Sequence, residues 1–240
     1  GVLRVTHFIA SSEDALESAV QEMVSRSGKS IKGFVLDLRN NPGGLLNQSV
    51  AVADAFLQKG EIVSVRNGAG DSRGFSANHG DLIDGLPMVV LINRGSASAS
   101  EIVAGALQDH RRAVVMGTQS FGKGSVQTIS PLDWDGALRL TTALYYLPSG
   151  RTIQGSGISP DIQISDGSPA PEGGRESDLP NALNARTKGE NTPASHQLTD
   201  KNCPSAGEDA KDKILGCAVM FLRAGSESKF LALMAEQKRL

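Results

Sequence analysis

The sequence lacks a strongly basic segment. Its 24 lysines and arginines are set against 26 acidic side chains, for a net charge of −2. Nothing therefore favours a nucleic-acid partner, which calls for clustered positive charge. Long apolar runs are missing too: no uncharged stretch approaches the roughly 18 residues that a membrane-spanning helix needs. The chain opens at Gly1 on a strand-like run, with no basic and then apolar leader. That reads as a mature or shortened chain whose export signal is out of view. Only two cysteines occur, Cys203 and Cys217. They leave the compartment open, since they can pair in an oxidising space or stay as free thiols. No cluster of ligating side chains has metal-site spacing, so no metal or cofactor is expected. There is no internal repeat.

What is present suffices for one good core, or one domain with a small appendage. Apolar residues make up 39% of the 240 positions. Alternation over Val2 to Phe8 predicts a strand, with His7 as a partly buried strand histidine. Ser11 and Asp14 have capping-box character before a helix that buries Leu16, Ala19, Val20, Met23 and Val24. Ile31 to Leu38 predicts a second strand, which runs into Arg39-Asn40-Asn41-Pro42-Gly43-Gly44. A helix over about 45–57 follows, with Val50, Ala53, Phe56 and Leu57 inward. Strand, Gly-Gly turn and helix together present outward backbone N–H groups, read either as an anion or oxyanion site or as a tight turn. Ile62 to Arg66 is another strand. Residues 67–85 read as a loop with one hairpin rung at Gly74 to Ser76, and with a solvated His79.

The stretch that organises the chain is NRGSASASEIVAGALQDHRRAVVMGTQSFGKGSVQ, residues 93–127. An apolar strand over Val89 to Ile92 feeds a Gly-Ser turn, then a helix carrying Ile102, Val103, Ala106 and Leu107. A short strand over Ala113 to Met116 then delivers Lys123 between two glycines. Ser125 to Ile129, Ala137 to Leu147 and a short Arg151 to Gln154 complete the strands, and Gly157 to Ile164 closes the compact part. Repeated strand and helix imply an α/β core. After Ser165 the composition turns to Ser, Pro, Gly and Asn. Residues 165–202, including His196, are expected to form a flexible linker or extended tail. Helical periodicity returns over Asp209 to Leu222 and Glu227 to Gln237. Such a pair is too small for its own core and is expected to dock on the main domain or on a partner subunit.

A serine hydroxyl needs a group that takes its proton, within ~2.6–3.2 Å. Ser96, Ser98 and Ser100 compete for the role, and no histidine has a persuasive setting. A lysine amine is charged at neutral pH unless it is kept dry. Lys123, flanked by Gly122 and Gly124, suits that role, and a side-chain amide such as Gln127 would orient its amine without fixing the charge. The residues thus read as a serine-lysine hydrolase. Against this stand a solvated loop lysine and a small-residue helix cap.

Four segments then carry a family resemblance: GFVLDLRNNPGG at 33–44, GSASASEIVAGALQD at 95–109, GTQSFGKGSVQ at 117–127 and LYYLPSGRTIQGSGISPDI at 144–162. In this order and spacing they resemble the catalytic domain of the carboxy-terminal processing peptidases, the tail-specific serine proteases. The resemblance implies a crotonase and Clp-protease-like α/β fold of repeated strand-strand-helix units. It implies a catalytic core over 1–164, followed by the tail at 165–202 and a helical segment at 203–240. It also implies Ser98 as nucleophile, Lys123 as general base and Gln127 as the residue that holds the lysine. Ser96 and Ser100 would be structural. The backbone N–H of Ala99, with that of Gly43 or Gly44, would form the oxyanion hole. Asp109, Asp37 and Arg39 would be supporting residues, and Glu101 a helix-terminus charge. The reaction implied is peptide-bond hydrolysis near substrate C-termini through an acyl-enzyme, with Ala143 to Leu147 lining the groove. Protein or peptide substrates with accessible C-termini are the implied partners. An adaptor protein, a homodimer or a higher oligomer also enters as a possibility, and the bacterial periplasm or cell envelope is the implied location. Relatives carry a peptide-binding PDZ domain just before this part. The competing readings are a catalytically silent peptide-binding relative and a crotonase-like acyl-thioester enzyme.

Overall fold

In the computed structural model, which describes residues 1–78, 80–165, 174–183, 193–207 and 211–237, two sheets carry the chain. The first is a six-stranded parallel sheet in the order β1-β2-β5-β6-β9-β10. Its strands are β1 (Val2–Arg4), β2 (Phe34–Asp37), β5 (Met88–Ile92), β6 (Val114–Gly117), β9 (Ile162–Ser165) and β10 (His196–Thr199). The second is antiparallel, in the order β4-β3-β8-β7. It comprises β3 (Gly60–Asn67), β4 (Ser72–Ala77), β7 (Ser125–Pro131) and β8 (Ala137–Tyr146). The helices are α1 (Ser12–Ser27), α2 (Leu46–Asp54), α3 (Ala99–Asp109), α4 (Lys213–Ala224) and α5 (Glu227–Gln237).

The parallel sheet is covered on both faces, which is why β2 and β5 are apolar at nearly every position. Phe34, Leu36, Val90 and Ile92 face one cluster with Leu16 and Val20 of α1, Val52 of α2 and Ile102 and Val103 of α3. Val35, Val89, Leu91 and Met116 face a second cluster with Leu215, Cys217 and Ala218 of α4 and Phe230 and Met234 of α5. The C-terminal helices thus dock on the same chain, closing the otherwise open face. Cys203 and Cys217 are joined by a disulfide, 14 residues apart in sequence, which fixes α4 to the strand and turn before it. No helix among the described residues is long and apolar enough to cross a membrane.

Several expected elements differ. The first strand ends at Arg4, and the exposed His7 lies beyond it. The Ser11 side chain makes no cap bond; instead the Ser12 hydroxyl accepts from the Ile9 N–H, so the turn before α1 is closed one residue later. The rung foreseen at Gly74 to Ser76 is the full strand β4, paired along β3. Arg151 to Gln154 forms no strand; a single bridge joins Thr152 to Tyr146. Within the expected linker at 165–202, β10 pairs in register with β9, and His196 lies 3.3 Å from Glu227. Burial of Leu198 against the second cluster supplies the reason that polar context concealed. His79 and much of 165–202 lie outside the described residues.

Closing a loop of this size by a disulfide is worth about 3 kcal/mol. Reduction, or replacement of both cysteines by alanine, is therefore expected to lower the unfolding free energy by roughly 2–3 kcal/mol in urea melts. An unchanged midpoint would mean that α4 is held by packing alone.

Candidate active site

Three loops meet at the carboxyl ends of β2, β5 and β6, the usual place for a site in a parallel sheet. The first runs from Leu38 to Leu45, the second from Asn93 to Ser98, and the third from Thr118 to Gly124. Each is held by groups that the local sequence supplies.

In the first loop, Asn41 is fully buried and works on both sides. Its amide donates to the Val5 carbonyl at 2.8 Å, and its side-chain oxygen accepts from the Gly43 N–H at 2.9 Å. Its backbone carbonyl accepts from the Ala97 N–H at 3.0 Å and from the Ser100 hydroxyl at 2.8 Å. The Ser96 hydroxyl donates to the Leu38 carbonyl at 2.8 Å. Ser96 and Ser100 are thus buried and spent on tying the second loop to the first, whereas Ser98 between them is half-buried. Gly43 has φ 110° and lies so close to the second loop that a Cβ there would sit 3.0 Å from Ser98 Cβ and 3.1 Å from Ala99 N. Gly44 has φ 143°, and its Cβ would fall 2.2 Å from the Phe8 carbonyl oxygen. No other residue type fits either place.

Ser98 is the N-cap of α3 and has φ 55° and ψ −112°, a conformation that a non-glycine residue keeps only when its surroundings over-determine it. What holds it is Glu101. The Ser98 N–H donates to Glu101 Oε2 at 2.7 Å, one side of a capping box. The same oxygen accepts from the Lys123 N–H at 2.9 Å. The other oxygen accepts from the Ser120 hydroxyl at 2.6 Å and the Gly122 N–H at 2.7 Å. Ser98 and Lys123 therefore stand two hydrogen bonds apart through one carboxylate oxygen. Glu101 is wholly inaccessible to solvent. Burial pushes its carboxyl up, the four donors pull it back down, and the balance is about 7.

Lys123 is half-buried and, among the described residues, makes no salt bridge. No hydrogen bond among those residues joins Ser98 Oγ to Lys123 or Lys123 to Gln127. The Gln127 amide instead donates to the Thr141 hydroxyl at 2.5 Å across the β7–β8 pair. The bulge between Val126 and Gln127 shifts the register there, so the simple alternation expected between 123 and 127 does not hold. The Ala99 and Gly44 N–H groups bond to no acceptor among the described residues, while that of Gly43 is taken by Asn41. Asp109 ends α3 and receives the Ser149 N–H at 2.9 Å and an Arg151 contact at 2.9 Å, away from Ser98. Asp37 and Arg39 form a bidentate pair at 2.8 and 2.7 Å below the first loop.

Glu101, Ser120 and Asn41 were not anticipated in these roles. The Ser-x-x-Glu spacing from 98 to 101 was the signal for Glu101. It marks a helix start, and nothing local marks the reach to residues 120–123. Above its ordinary value of 4.5, Glu101 loses its proton in the unfolded chain before it does in the folded one. Its stabilising contribution is therefore full at low pH and falls as pH rises toward about 7, by up to about 3 kcal/mol. Wild type should lose that much relative to Glu101→Gln between about pH 4.5 and pH 8, measured as unfolding free energies. A pH-independent difference between the two would contradict the burial argument.

The model of peptidase family S41 matches residues 1–164. A carboxy-terminal-processing protease of Bartonella bacilliformis is 52% identical over 223 residues, covering 89% of this chain and 49% of its own length. The chain thus spans about half the length of that relative. The structure of a photosystem II D1 C-terminal processing protease is 38% identical, with a TM-score of 0.63, covering 67% of this chain and 41% of that one. A putative peptidase from Parabacteroides merdae, 19% identical, shares the fold over 95% of this chain and 62% of its own, with a TM-score of 0.61. The α/β architecture, the resemblance of the four motifs and the span of the family match agree, and the chain belongs to peptidase family S41, the serine peptidases that include the carboxy-terminal-processing proteases.

Proposed function

We propose that the chain is the catalytic part of a serine endopeptidase that cuts peptide bonds near substrate C-termini, with Ser98 as nucleophile and Lys123 as general base. The observation that carries this reading is the Glu101 carboxylate, which holds the amides of both residues at once. Ser98 Oγ attacks the scissile carbonyl and passes its proton to Lys123. The tetrahedral oxyanion lies between the N–H groups of Ala99 and Gly44, which have no acceptor among the described residues, whereas that of Gly43 is taken by Asn41. Lys123 returns the proton to the leaving amine, and the acyl group remains on Ser98. Lys123 then takes a proton from water as the water oxygen attacks the ester carbonyl, and it passes that proton to Ser98 Oγ as the acyl–oxygen bond breaks, freeing the acid product and restoring the enzyme.

Lys123 suits a base because no carboxylate is paired with its amine among the described residues, so the cation gains no salt bridge. Gln127 would join Lys123 by exchanging Thr141 for the amine as substrate enters. A site completed only on binding limits stray proteolysis. The substrate groove follows β8: Ala143, Leu144 and Tyr146 line a concavity with Arg66 and Leu183. The Tyr145 N–H bonds to the Gly124 carbonyl at 2.8 Å, which puts that wall beside the Lys123 loop. A chain end with small or apolar residues fits such a wall. A disulfide-bonded appendage suits the periplasm or cell envelope. Adaptor binding and self-association would be properties of the longer protein. The silent-relative reading gains nothing from the geometry, because a carboxylate desolvated to hold both loops has no use in passive peptide binding.

Incubation with an unstructured peptide of apolar C-terminus, read by mass, is expected to give C-terminal products. Both Ser98→Ala and Lys123→Ala should abolish them, and Gly43→Ala and Gly44→Ala should fail through distorted loops. Removing one oxyanion donor costs about 3–4 kcal/mol in barrier in other serine proteases. Cleavage that survives Ser98→Ala would sink the assignment.

A further inference from the structure

We infer that Asp212, in the segment beyond the family match, is a positioning residue for the proposed oxyanion loop. Through Arg39 it holds residues 39–44 against Ser98. The inference deepens the reading above and rests on it for the role of that loop.

Arg39 lies two residues past the end of β2 and stands between two carboxylates. Its Nε and Nη2 donate to Asp37 at 2.8 and 2.7 Å. Its Nη1 and Nη2 donate to Asp212 at 3.0 and 2.5 Å. Both contacts are two-pronged, the geometry that fixes a guanidinium plane rather than merely attracting it. The Arg39 side chain is only 12% exposed, so its head cannot rely on water in place of either partner. Asp37 belongs to the sheet, one residue from the loop, and fixes one side of the plane. The other side is fixed from residue 212, on the far side of the sequence.

Asp212 is itself immobilised. Its N–H and carbonyl bridge those of Ala206 in both directions, at 3.0 and 3.1 Å. Its side chain caps α4 by accepting the Leu215 N–H at 2.9 Å. The Cys203–Cys217 disulfide closes the chain around it. Burial would raise the Asp212 carboxyl, but the bonds from Arg39 and Leu215 hold it below the ordinary range, so it is ionised. On the other side, the Arg39 N–H is tied to Asp37 at 3.1 Å and the Asn40 N–H to Asn93 at 2.9 Å. Asn40 has φ 57°, in the left-handed region that asparagine adopts more readily than most residues. Asn41, Gly43 and Gly44 come next. Release of Arg39 on the Asp212 side therefore loosens the start of the loop that presents the Gly44 N–H, leaving that start held from Asp37 and Asn93 alone.

A cap alone and a clamp make different demands. Asparagine caps a helix about as well as aspartate, but cannot return an ion pair to Arg39. Asp212→Asn in the 240-residue chain should keep α4 folded and protected, yet raise amide hydrogen exchange across residues 39–45 by tenfold or more, on the order expected when a buried charge loses its partner. In the peptide assay, kcat should fall on the order of 10- to 100-fold with KM within about twofold, since misplacement by about 1 Å far from the chemistry has such costs. Asp212→Glu should restore both readouts to within about threefold, because it keeps the charge-assisted bonds. Unchanged exchange across 39–45 in Asp212→Asn overturns the inference, as does exchange raised only in α4. If wild type cuts no peptide while the exchange changes as expected, the protease reading fails for this chain and the clamp stands.

Discussion

A single buried carboxylate sets the conditions for everything else in the site. Glu101 lies in the first turn of α3 with no access to water, and both its oxygens are filled by donors from two different loops. A buried charge is costly unless fully bonded. The loops that carry Ser98 and Lys123 therefore cannot drift apart without leaving part of that cost uncompensated. This is how a strained φ of 55° at Ser98 persists, and how a glycine-flanked lysine in a different loop keeps its place beside it. The strain and the buried charge are one device seen from two ends.

The sheet explains why the device is located where it is. Parallel β2, β5 and β6 end side by side, so their three following loops share one edge. Asn41 and the two buried serines at 96 and 100 weld the first two loops. Glu101 with Ser120 welds the second and third. The helical appendage covers the opposite sheet face, and Asp212 extends one carboxylate back to Arg39. Core, site and appendage thus form a connected set of satisfied polar groups, in which no loop stands by its own propensity.

Much of this is legible in the sequence. The apolar strands at 34–37 and 88–92 were clear because burial on both faces leaves few polar positions. The Gly-Gly turn and the small residues at 95–100 were legible because only such residues tolerate that closeness. What escaped has a physical cause in each case. Glu101 looked like an ordinary helix-start acid, since its second function depends on a loop twenty residues away. Gln127 was expected on a regular strand beside Lys123, and one bulge changed that. β10 was hidden in a polar stretch because an edge strand of four residues needs only one or two buried side chains. The pairing of Arg39 with Asp212 has no local signature at all.

In the proposed mechanism Ser98 alone of the three serines is activated, and Lys123 activates it. The most direct measurement is labelling with a small serine-reactive aryl phosphonate, located by peptide mapping. One adduct is expected, on Ser98, formed in wild type and lost in Lys123→Ala while the fold is retained. An adduct on Ser96 or Ser100, or labelling of Ser98 at an unchanged rate without Lys123, would contradict it.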